Sequence, residues 1–409
     1  MKKMLLNPNV TLPVAIVLGG ILGLWGEASW LYRGAGGISA IFINLLKLVS
    51  LPIIFLSIVS TASSMGSVAE IKQLGGRVLK YTLFTTLMAA TVALALFVAV
   101  DPVRSVIPTG EGVKIGTDGS GYFAYLLQAI PSNAITPFSE NNVIGVLLLA
   151  MLLSLSILSL PEKNRNTLHS FFSSLLAAIM NITSWIIRFM PLAIFSFIVL
   201  FIHDLKAGTE VQSLGYYLLC VIAANVIQAT VVLPLLLKIK GIAPIKLFRA
   251  MFEALSCAFF TKSSSATLPM AVKCAEEKAG ISRKIAGFSL PLCTSINMNG
   301  CAAFILTTVL FVSMSNGVHF SLPEMIGWIF IATLAALGNA GVPMGCYFLS
   351  SAFLAAMGVP LTILGVILPF YTVIDMLETS INVWSDACVT AIVDKEASTE
   401  ASPLAAALS

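Results

Sequence analysis

A series of long apolar segments restricts this chain to a small set of folds. Hydrophobic residues make up 58% of its 409 residues and charged residues only 10%. A helix needs about 20 apolar residues to cross a bilayer, and in lipid only helices and closed barrels satisfy their backbone hydrogen bonds. The composition therefore predicts an all-α polytopic membrane protein. The first part of the chain, up to residue 238, has six continuous apolar segments, at roughly 9–27, 38–64, 78–100, 122–159, 167–203 and 212–238. The fourth and fifth exceed one simple crossing, which predicts a break, a tilt or a protruding portion.

Several other classes of protein are disfavoured. The net charge of +4 comes from basic residues in loops between apolar segments, which is not the pattern of a nucleic-acid-binding surface. The seven cysteines lie mostly within or beside apolar segments, and this odd set does not indicate a disulfide framework. His169, His203 and His319 have no partner at ligand spacing, so they indicate no transition-metal site. We expect no organic cofactor.

Basic residues predict how the chain is oriented. Lys and Arg collect in cytoplasmic loops. With the N-terminus inside, most loop Lys and Arg residues fall on the cytoplasmic side, and only Arg33, Arg104, Lys114 and Lys206 fall outside. This distribution requires the segments around 262 and 342 to enter the membrane and return to the side they left. It predicts two re-entrant segments and cytoplasmic N- and C-termini. The basic start followed by an apolar run lacks a clear cleavage site, so we expect a retained first helix.

One helix is expected to carry carboxylates inside the membrane. It follows the uncharged stretch 361–374, and at about 100° per residue its polar side chains share one narrow face. These side chains are Asp375, Glu378, Thr379, Asn382 and Asp386. A carboxylate at the bilayer centre costs at least ~2.5–3.5 kcal/mol unless it is paired or hydrated. Basic neighbours in a helix bundle would pair with these acids, but Lys262 is the only obvious candidate. We therefore expect a polar pathway that binds cations and a solute carrying an amino group.

Three stretches contain residues that interrupt a helix. The motifs are KSSSATLP at 262–269, TSINMNGC at 294–301 and GNAGVPMG at 338–345. Irregular backbone at membrane depth is tolerated only where it is buried in protein or lines a wet cavity. The first motif is either a re-entrant hairpin or a Ser-rich cytoplasmic loop. The second either exposes carbonyl oxygens to a small hard cation or supplies Asn side chains for interhelical hydrogen bonds. The third, between apolar flanks, favours a second hairpin.

These motifs, together with DMLETSINVWSD at 375–386, resemble those of the dicarboxylate/amino acid–cation symporters, which include archaeal aspartate and mammalian glutamate transporters. The resemblance covers essentially the whole chain. It implies a homotrimer with eight transmembrane helices, two opposed re-entrant hairpins, a scaffold and an elevator-type transport domain. It divides the chain into spans one and two of the scaffold (1–77), span three with an exposed loop (78–121), mainly scaffold spans four to six (122–247), the transport core (248–396) and a tail (397–409).

The resemblance implies a substrate site between the hairpin tips and the eighth span. Asp375 matches the aspartate that holds the substrate's α-amino group, and Ser264 with the backbone of Lys262 and Val342 matches the carboxylate cradle. The full expected substrate set is Lys262, Ser263, Ser264, Cys301, Val342, Cys346, Asp375, Glu378, Thr379 and Asn382.

The resemblance also implies sodium as the coupling ion. Asn297, Asn382 and Asp386, with a carbonyl at Cys293, match one site. A second site would take Ser295, Met298 and carbonyls near Ala336 and Asn339.

A third sodium site departs from the family pattern. Asn299 stands where the family usually has Asp, and the third span offers Thr85, Met88 and Ala89 where further hydroxyl ligands are expected. We therefore expect one or two coupled ions.

Another departure sets the substrate hypothesis. Acidic-substrate members carry Arg three residues after the amino-binding Asp, and here that residue is Glu378. A glutamate there would repel a dicarboxylate. A glutamate at this position resembles the pattern of the bacterial sodium/serine-threonine branch. That branch implies a bacterial-type plasma (inner) membrane, with lipid as its surroundings. We expect sodium-coupled uptake of serine, threonine or alanine.

Other functions remain as alternatives. If Lys262 takes the place of the missing Arg, the substrates would be acidic amino acids or C4-dicarboxylates. If Glu378 attracts a positive charge, the substrate would be a cationic amino acid. If Glu378 binds a proton, protons would replace sodium as the coupling ion. A channel would not need converging ligands for an amino group. An intramembrane enzyme is disfavoured because neither G-x-S-x-G nor H-E-x-x-H occurs.

Overall fold

The structure is a computed structural model in which every regular element of the described residues is a helix. It describes residues 8–25, 29–63, 74–103, 133–140, 142–206, 211–337, 339, 342 and 344–407. The helices are α1 (Pro8–Trp25), α2 (Ser29–Ser63), α3 (Gly76–Val100), α4 (Thr136–Ser139), α5 (Val143–Leu158), α6 (Glu162–Arg188), α7 (Met190–Lys206), α8 (Val211–Ile227), α9 (Leu233–Ile239), α10 (Pro244–Thr261), α11 (Ser264–Glu277), α12 (Arg283–Ile296), α13 (Asn299–Ser315), α14 (Leu322–Leu337), α15 (Gly345–Ala356) and α16 (Thr362–Ala407). A π-helical turn, Gln228–Val232, joins α8 to α9.

Many of these helices have the composition of membrane spans, which confirms the polytopic all-helical class. Six described helical stretches are long and apolar enough to cross a membrane: Ser29–Ser60, Gly76–Val100, Glu162–Arg188, Gln212–Ile239, Arg283–Ser315 and Thr362–Thr399. Shorter apolar helices include α5, α14 and α15.

Several boundaries differ from the apolar segments of the sequence. The fifth segment, expected to be too long for one crossing, is divided at Phe189 between α6 and α7. Pro191 explains the break because it lacks the N–H that would bond back to the preceding turn. Residues 104–132, which include most of the exposed loop after α3 and the first part of the fourth segment, lie outside the described residues. The tail after residue 397 continues α16 to Ala407, as its alanines favour.

The helices pack in two groups that meet along a limited surface. Helices α1, α2, α5, α6 and α7 pack mainly on one another, whereas α3, α8 and α10 to α16 form the second group. The sixth apolar segment, α8 and α9, belongs with the second group because α8 packs against α3 and α13. The groups meet where α15 contacts α2 and where α16 contacts α7.

Helix α13 forms the centre of the second group. All its residues except Met314 are buried, as expected for a helix that is apolar around its whole circumference. Helices α3, α8, α14, α15 and α16 surround it. The N-terminus of α13, which carries the polar residue Asn299, is therefore enclosed by protein.

Two helix–turn–helix pairs flank α12 and α13 in sequence. Helices α10 and α11 pack against each other and against α16. Between them Lys262 adopts the left-handed conformation (φ 53°), and the Ser263 hydroxyl caps α11 by accepting a hydrogen bond from the Ala266 amide (3.2 Å). Helices α14 and α15 both pack on α13. Of the motif between them, the structure describes Asn339, Val342, Met344 and Gly345.

Candidate functional site

The break between α12 and α13 brings polar groups against α16. Asn297 and Met298 leave the helical region (ψ 82° and 65°), and Asn favours such breaks because its side chain competes for backbone hydrogen bonds. The Asn297 Nδ2 donates to Asp386 Oδ1 (2.9 Å), and the Thr294 hydroxyl donates to Asp386 Oδ2 (3.4 Å). Only 1% of Asp386 is exposed. Neutral donors therefore hold a buried carboxylate at the interruption, and no ion pair joins it to the basic residues that the structure describes.

Helix α3 completes this polar network. The Thr85 hydroxyl donates to Asn297 Oδ1 (3.2 Å), and the Thr86 hydroxyl donates to Asn299 Oδ1 (2.8 Å). Asn299 Nδ2 in turn donates to Ser385 Oγ (2.6 Å). All of these side chains are buried. The network ties α3, the broken helix and α16 together through oxygen-rich side chains.

Asn382 binds the start of α13 through one backbone amide. The Gly300 N–H donates to Asn382 Oδ1 (2.9 Å), and Asn382 Nδ2 lies 3.4 Å from Met298 Sδ. A Cβ at Gly300 would lie 2.9 Å from the Glu378 Cα, so this close approach of α13 to α16 requires glycine. Asn382 therefore fixes the broken end of α13 on the polar face of α16.

The predicted polar face of α16 is confirmed as one face of a single helix. Helix α16 includes Asp375, Glu378, Thr379, Asn382 and Asp386. The last four are buried, and Asp375, nearest the helix start, is half-buried. The Thr379 hydroxyl donates to the Asp375 carbonyl (2.7 Å). The carboxyl group of Asp375 is thus the most accessible of the three acids on this face.

Glu378 is the most unusual side chain of the site. It is only 1% exposed, and neither of its carboxylate oxygens has a hydrogen-bond partner among the described residues. It forms no ion pair in the part of the chain that the structure describes. A buried carboxylate without donors is costly, so this position favours a bound group that supplies hydrogen-bond donors or positive charge.

The segment between α14 and α15 reaches the site through Asn339. Its Nδ2 lies 3.2 Å from Cys301 Sγ and 3.1 Å from Cys346 Sγ. Asn339 is buried and Val342 is half-buried. The predicted residues Cys301, Asn339 and Cys346 therefore do come together.

Other predicted residues are more exposed, or their polar atoms already take part in hydrogen bonds. Lys262 is exposed, and Ser263 and Ser264 are half-buried. The Ser295 hydroxyl donates to the Pro291 carbonyl (3.1 Å). The three carbonyls predicted as sodium ligands each accept a backbone hydrogen bond: Cys293 from Asn297 (2.7 Å), Ala336 from Asn339 (3.1 Å) and Asn339 from Val342 (3.3 Å). Each carbonyl has a second lone pair, so these bonds leave room for a cation.

Sequence reasoning missed three side chains of the network: Thr86, Thr294 and Ser385. All three hydrogen-bond to predicted residues. The adjacent hydroxyls Thr85 and Thr86 in an otherwise apolar helix were the available signal. Which of the two faces the broken helix depends on the rotation of α3, which the sequence does not determine; in the structure both do.

Comparisons with known proteins agree with this architecture. The model of the "Sodium:dicarboxylate symporter family" matches residues 9–396. The human "Neutral amino acid transporter A" is 28% identical over 389 residues, covering 84% of this chain and 73% of that protein. The mouse "Excitatory amino acid transporter 3" is 28% identical over 451 residues, covering 96% and 85%. The bovine "Neutral amino acid transporter B(0)" is 28% identical over 425 residues, covering 93% and 78%.

Proposed function

Because the chain belongs to the sodium:dicarboxylate symporter family, we propose that it couples the uptake of a small neutral amino acid, namely serine, threonine or alanine, to sodium. The observation that carries this choice of substrate is the buried Glu378, whose carboxylate lacks a partner among the described residues. The family's relatives include proteins named as neutral and as excitatory amino acid transporters. Membership alone therefore leaves the substrate open, and the side chains of this site must select it.

Asp375 and the hairpin turns would bind the ammonium and carboxylate groups that all amino acids share. A half-buried carboxylate on α16 suits an ammonium group. The start of α11, with Ser263 as the N-cap and Ser264 as the first helical residue, would offer backbone N–H groups and the positive end of a helix dipole to the substrate carboxylate. Val342 of the second hairpin would close the cradle from the other side.

Glu378 would then select the substrate side chain. An anionic side chain beside an unpaired, buried carboxylate would meet strong repulsion, since two charges 4 Å apart interact by about 4 kcal/mol at an effective dielectric constant of 20. A hydroxyl group supplies a donor instead. Serine and threonine would therefore satisfy an oxygen that has no partner among the described residues.

The break between α12 and α13 would bind sodium. Asp386 supplies the charge, while Asn297 and Asn382 and the Cys293 carbonyl supply oxygen ligands of the kind a hard cation prefers. The C-terminal carbonyls of α12 add the negative end of its dipole. Ser295, Met298, Ala336 and Asn339 would form a second site. We propose one or two coupled ions because Asn299 is already bonded to Thr86 and Ser385 and carries no charge.

The two packing groups support an elevator arrangement. We assign the first group, α1, α2 and α5 to α7, to a scaffold that would form the centre of a homotrimer. The second group, including α3 and the sixth span, would move as the transport domain, which places the sixth span outside the scaffold suggested by sequence. The hairpins would be re-entrant from opposite sides, in a bacterial-type inner membrane with cytoplasmic termini.

Labelled serine uptake into proteoliposomes under an inward sodium gradient tests the proposal, with aspartate, alanine and arginine as competitors. We expect uptake that needs sodium, falls with alanine and is unaffected by aspartate or arginine. Glu378→Gln should let aspartate compete, because it removes the repelling charge. Uptake that only aspartate inhibits in the unaltered protein would show that Lys262 supplies a positive charge and that the substrate is acidic. Uptake driven by a proton gradient alone would replace sodium as the coupling ion.

A further inference from the structure

Two thiols and the unpartnered carboxylate form a compact cluster where three helices meet. Cys301 lies at the start of α13, Cys346 at the start of α15 and Glu378 on α16. One ligand atom from each, the two Sγ atoms and a carboxylate oxygen, all lie within 4.8 Å of one another. The three residues are only 5%, 2% and 1% exposed. The cluster is thus enclosed by protein.

The surroundings of the cluster favour a cation. Both oxygens of Glu378 lack partners among the described residues, and so does the Oδ1 of Asn225. That Oδ1 lies 3.0 Å from where a Cβ of Gly300 would be, a position that is also 3.0 Å from the Glu378 Cβ. Unsatisfied acceptors therefore converge on the side of α13 that faces Glu378 of α16. Asn339 Nδ2 approaches both sulfur atoms, and such donor contacts stabilise thiolate charge.

We propose that Cys301, Cys346 and Glu378 form a binding site for a thiophilic divalent cation of the Zn²⁺ and Cd²⁺ class. Sodium and other hard cations prefer oxygen, whereas paired thiolates select softer metals. The three ligand atoms all lie within 4.8 Å of one another. A Zn–S bond is about 2.3 Å and a Zn–O bond about 2.0–2.2 Å, so the atoms must approach one another by at most about 1.2 Å to surround a tetrahedral ion. On binding, the two thiols release their protons to solvent and the carboxylate neutralises charge. The fourth position of a tetrahedral ion stays open.

The ion would join the second hairpin to the spans behind it. Cys346 belongs to the second arm of that hairpin, while Cys301 and Glu378 belong to the broken span and α16. An ion held by all three crosslinks these elements. Inhibition of transport by the metal is a further consequence, and this part alone rests on the proposed function, because the same three residues were assigned to the substrate site.

Cadmium titration of the purified full-length protein tests the site without any transport measurement. The readouts are the ultraviolet thiolate-to-cadmium charge-transfer absorbance and the bound cadmium per chain by mass spectrometry. We expect one Cd²⁺ per chain with that absorbance. Cys301→Ser and Cys346→Ser should each weaken binding at least about tenfold, a loss that even changes outside the ligand shell produce. Glu378→Gln should weaken binding while part of the absorbance persists.

Cys388→Ser is the matched control, since Cys388 is equally buried and lies on α16 outside the cluster. It should bind Cd²⁺ like the unaltered protein. Absence of the absorbance in the unaltered protein would overturn the proposal, and so would unchanged binding in both Cys301→Ser and Cys346→Ser. Neither of these two refuting results could arise from a variant that folds poorly. Cadmium binding with the expected pattern in a protein that does not transport serine would support the metal site and refute the proposed function.

Discussion

Asp386→Asn isolates the charge that we assign to sodium. The amide has nearly the shape of the carboxylate, and its oxygen can still accept the 2.9 Å hydrogen bond from Asn297 Nδ2. Its new NH₂ group would face the Thr294 hydroxyl, now 3.4 Å from Oδ2, which can accept as well as donate. The local hydrogen bonds therefore survive, and the substitution removes mainly the negative charge.

The size of the effect follows from the burial of Asp386. The side chain is 1% exposed and has no ion pair among the described residues, so a bound cation would be its charge partner. Hydrogen bonds to charged groups contribute about 1.5–3 kcal/mol, and we take the same scale for the contact between sodium and the carboxylate. Each 1.4 kcal/mol corresponds to tenfold in affinity. We expect the sodium concentration for half-maximal serine uptake to rise about tenfold to a hundredfold, with the maximal rate at saturating sodium less affected.

Serine uptake into proteoliposomes at a series of sodium concentrations, with choline as the replacement ion, gives this value. Asp394→Asn is the control because it removes one charge from the same helix at a hydrogen-bonded position, where Asp394 accepts from the Ser282 hydroxyl (2.6 Å). It should leave the sodium dependence unchanged. An Asp386→Asn variant that folds, transports serine and shows the original sodium dependence would remove Asp386 from the ion site.

Three other predictions concern neighbouring features. Asp375→Asn should abolish serine binding, measured by calorimetry, while gel filtration shows an unchanged assembly, because it removes only the charge partner of the ammonium group. Gly300→Ala should lower the free energy of unfolding by about 1–3 kcal/mol, since its Cβ would lie 2.9 Å from the Glu378 Cα; Gly287→Ala, with no atom within 4 Å of its Cβ, should not lower the unfolding temperature. Replacing sodium with choline should lower the unfolding temperature of the unaltered protein, because sodium binds the folded state. The decrease should be smaller for Asp386→Asn, whose site should bind sodium more weakly.

Much of the architecture could be predicted from local sequence. Apolar length predicts the spans, and the motifs around 262, 297 and 342 predict where helices break, because Pro, Gly and Asn act on their own backbone. The side-chain period of a helix also predicts that Asp375 and Asp386 share a face. These features depend only on residues near one another in the chain.

The packing position of the sixth span and its π-helical turn could not be predicted from local sequence, because they depend on residues that are close in space but far apart in the chain. The sixth span lies beside α3 and α13, although its apolar sequence is equally compatible with a scaffold position. Its π-helical turn lets the Ala229 carbonyl accept from Trp384 Nε1 (3.1 Å), a contact between residues far apart in the chain. An apolar face does not specify which other apolar face it meets.

Residue type and helical period alone predict which polar groups lie within the apolar segments: acids on one face of a helix, asparagines at a break, and a glutamate among those acids. The surroundings of these groups come from the packing of the helices. This packing gives Asp386 two donors, leaves Glu378 without one among the described residues, and places Cys301 and Cys346 beside that carboxylate. The reason is physical: residue type and helical period are local, whereas the solvation of a buried charge depends on the helices packed around it.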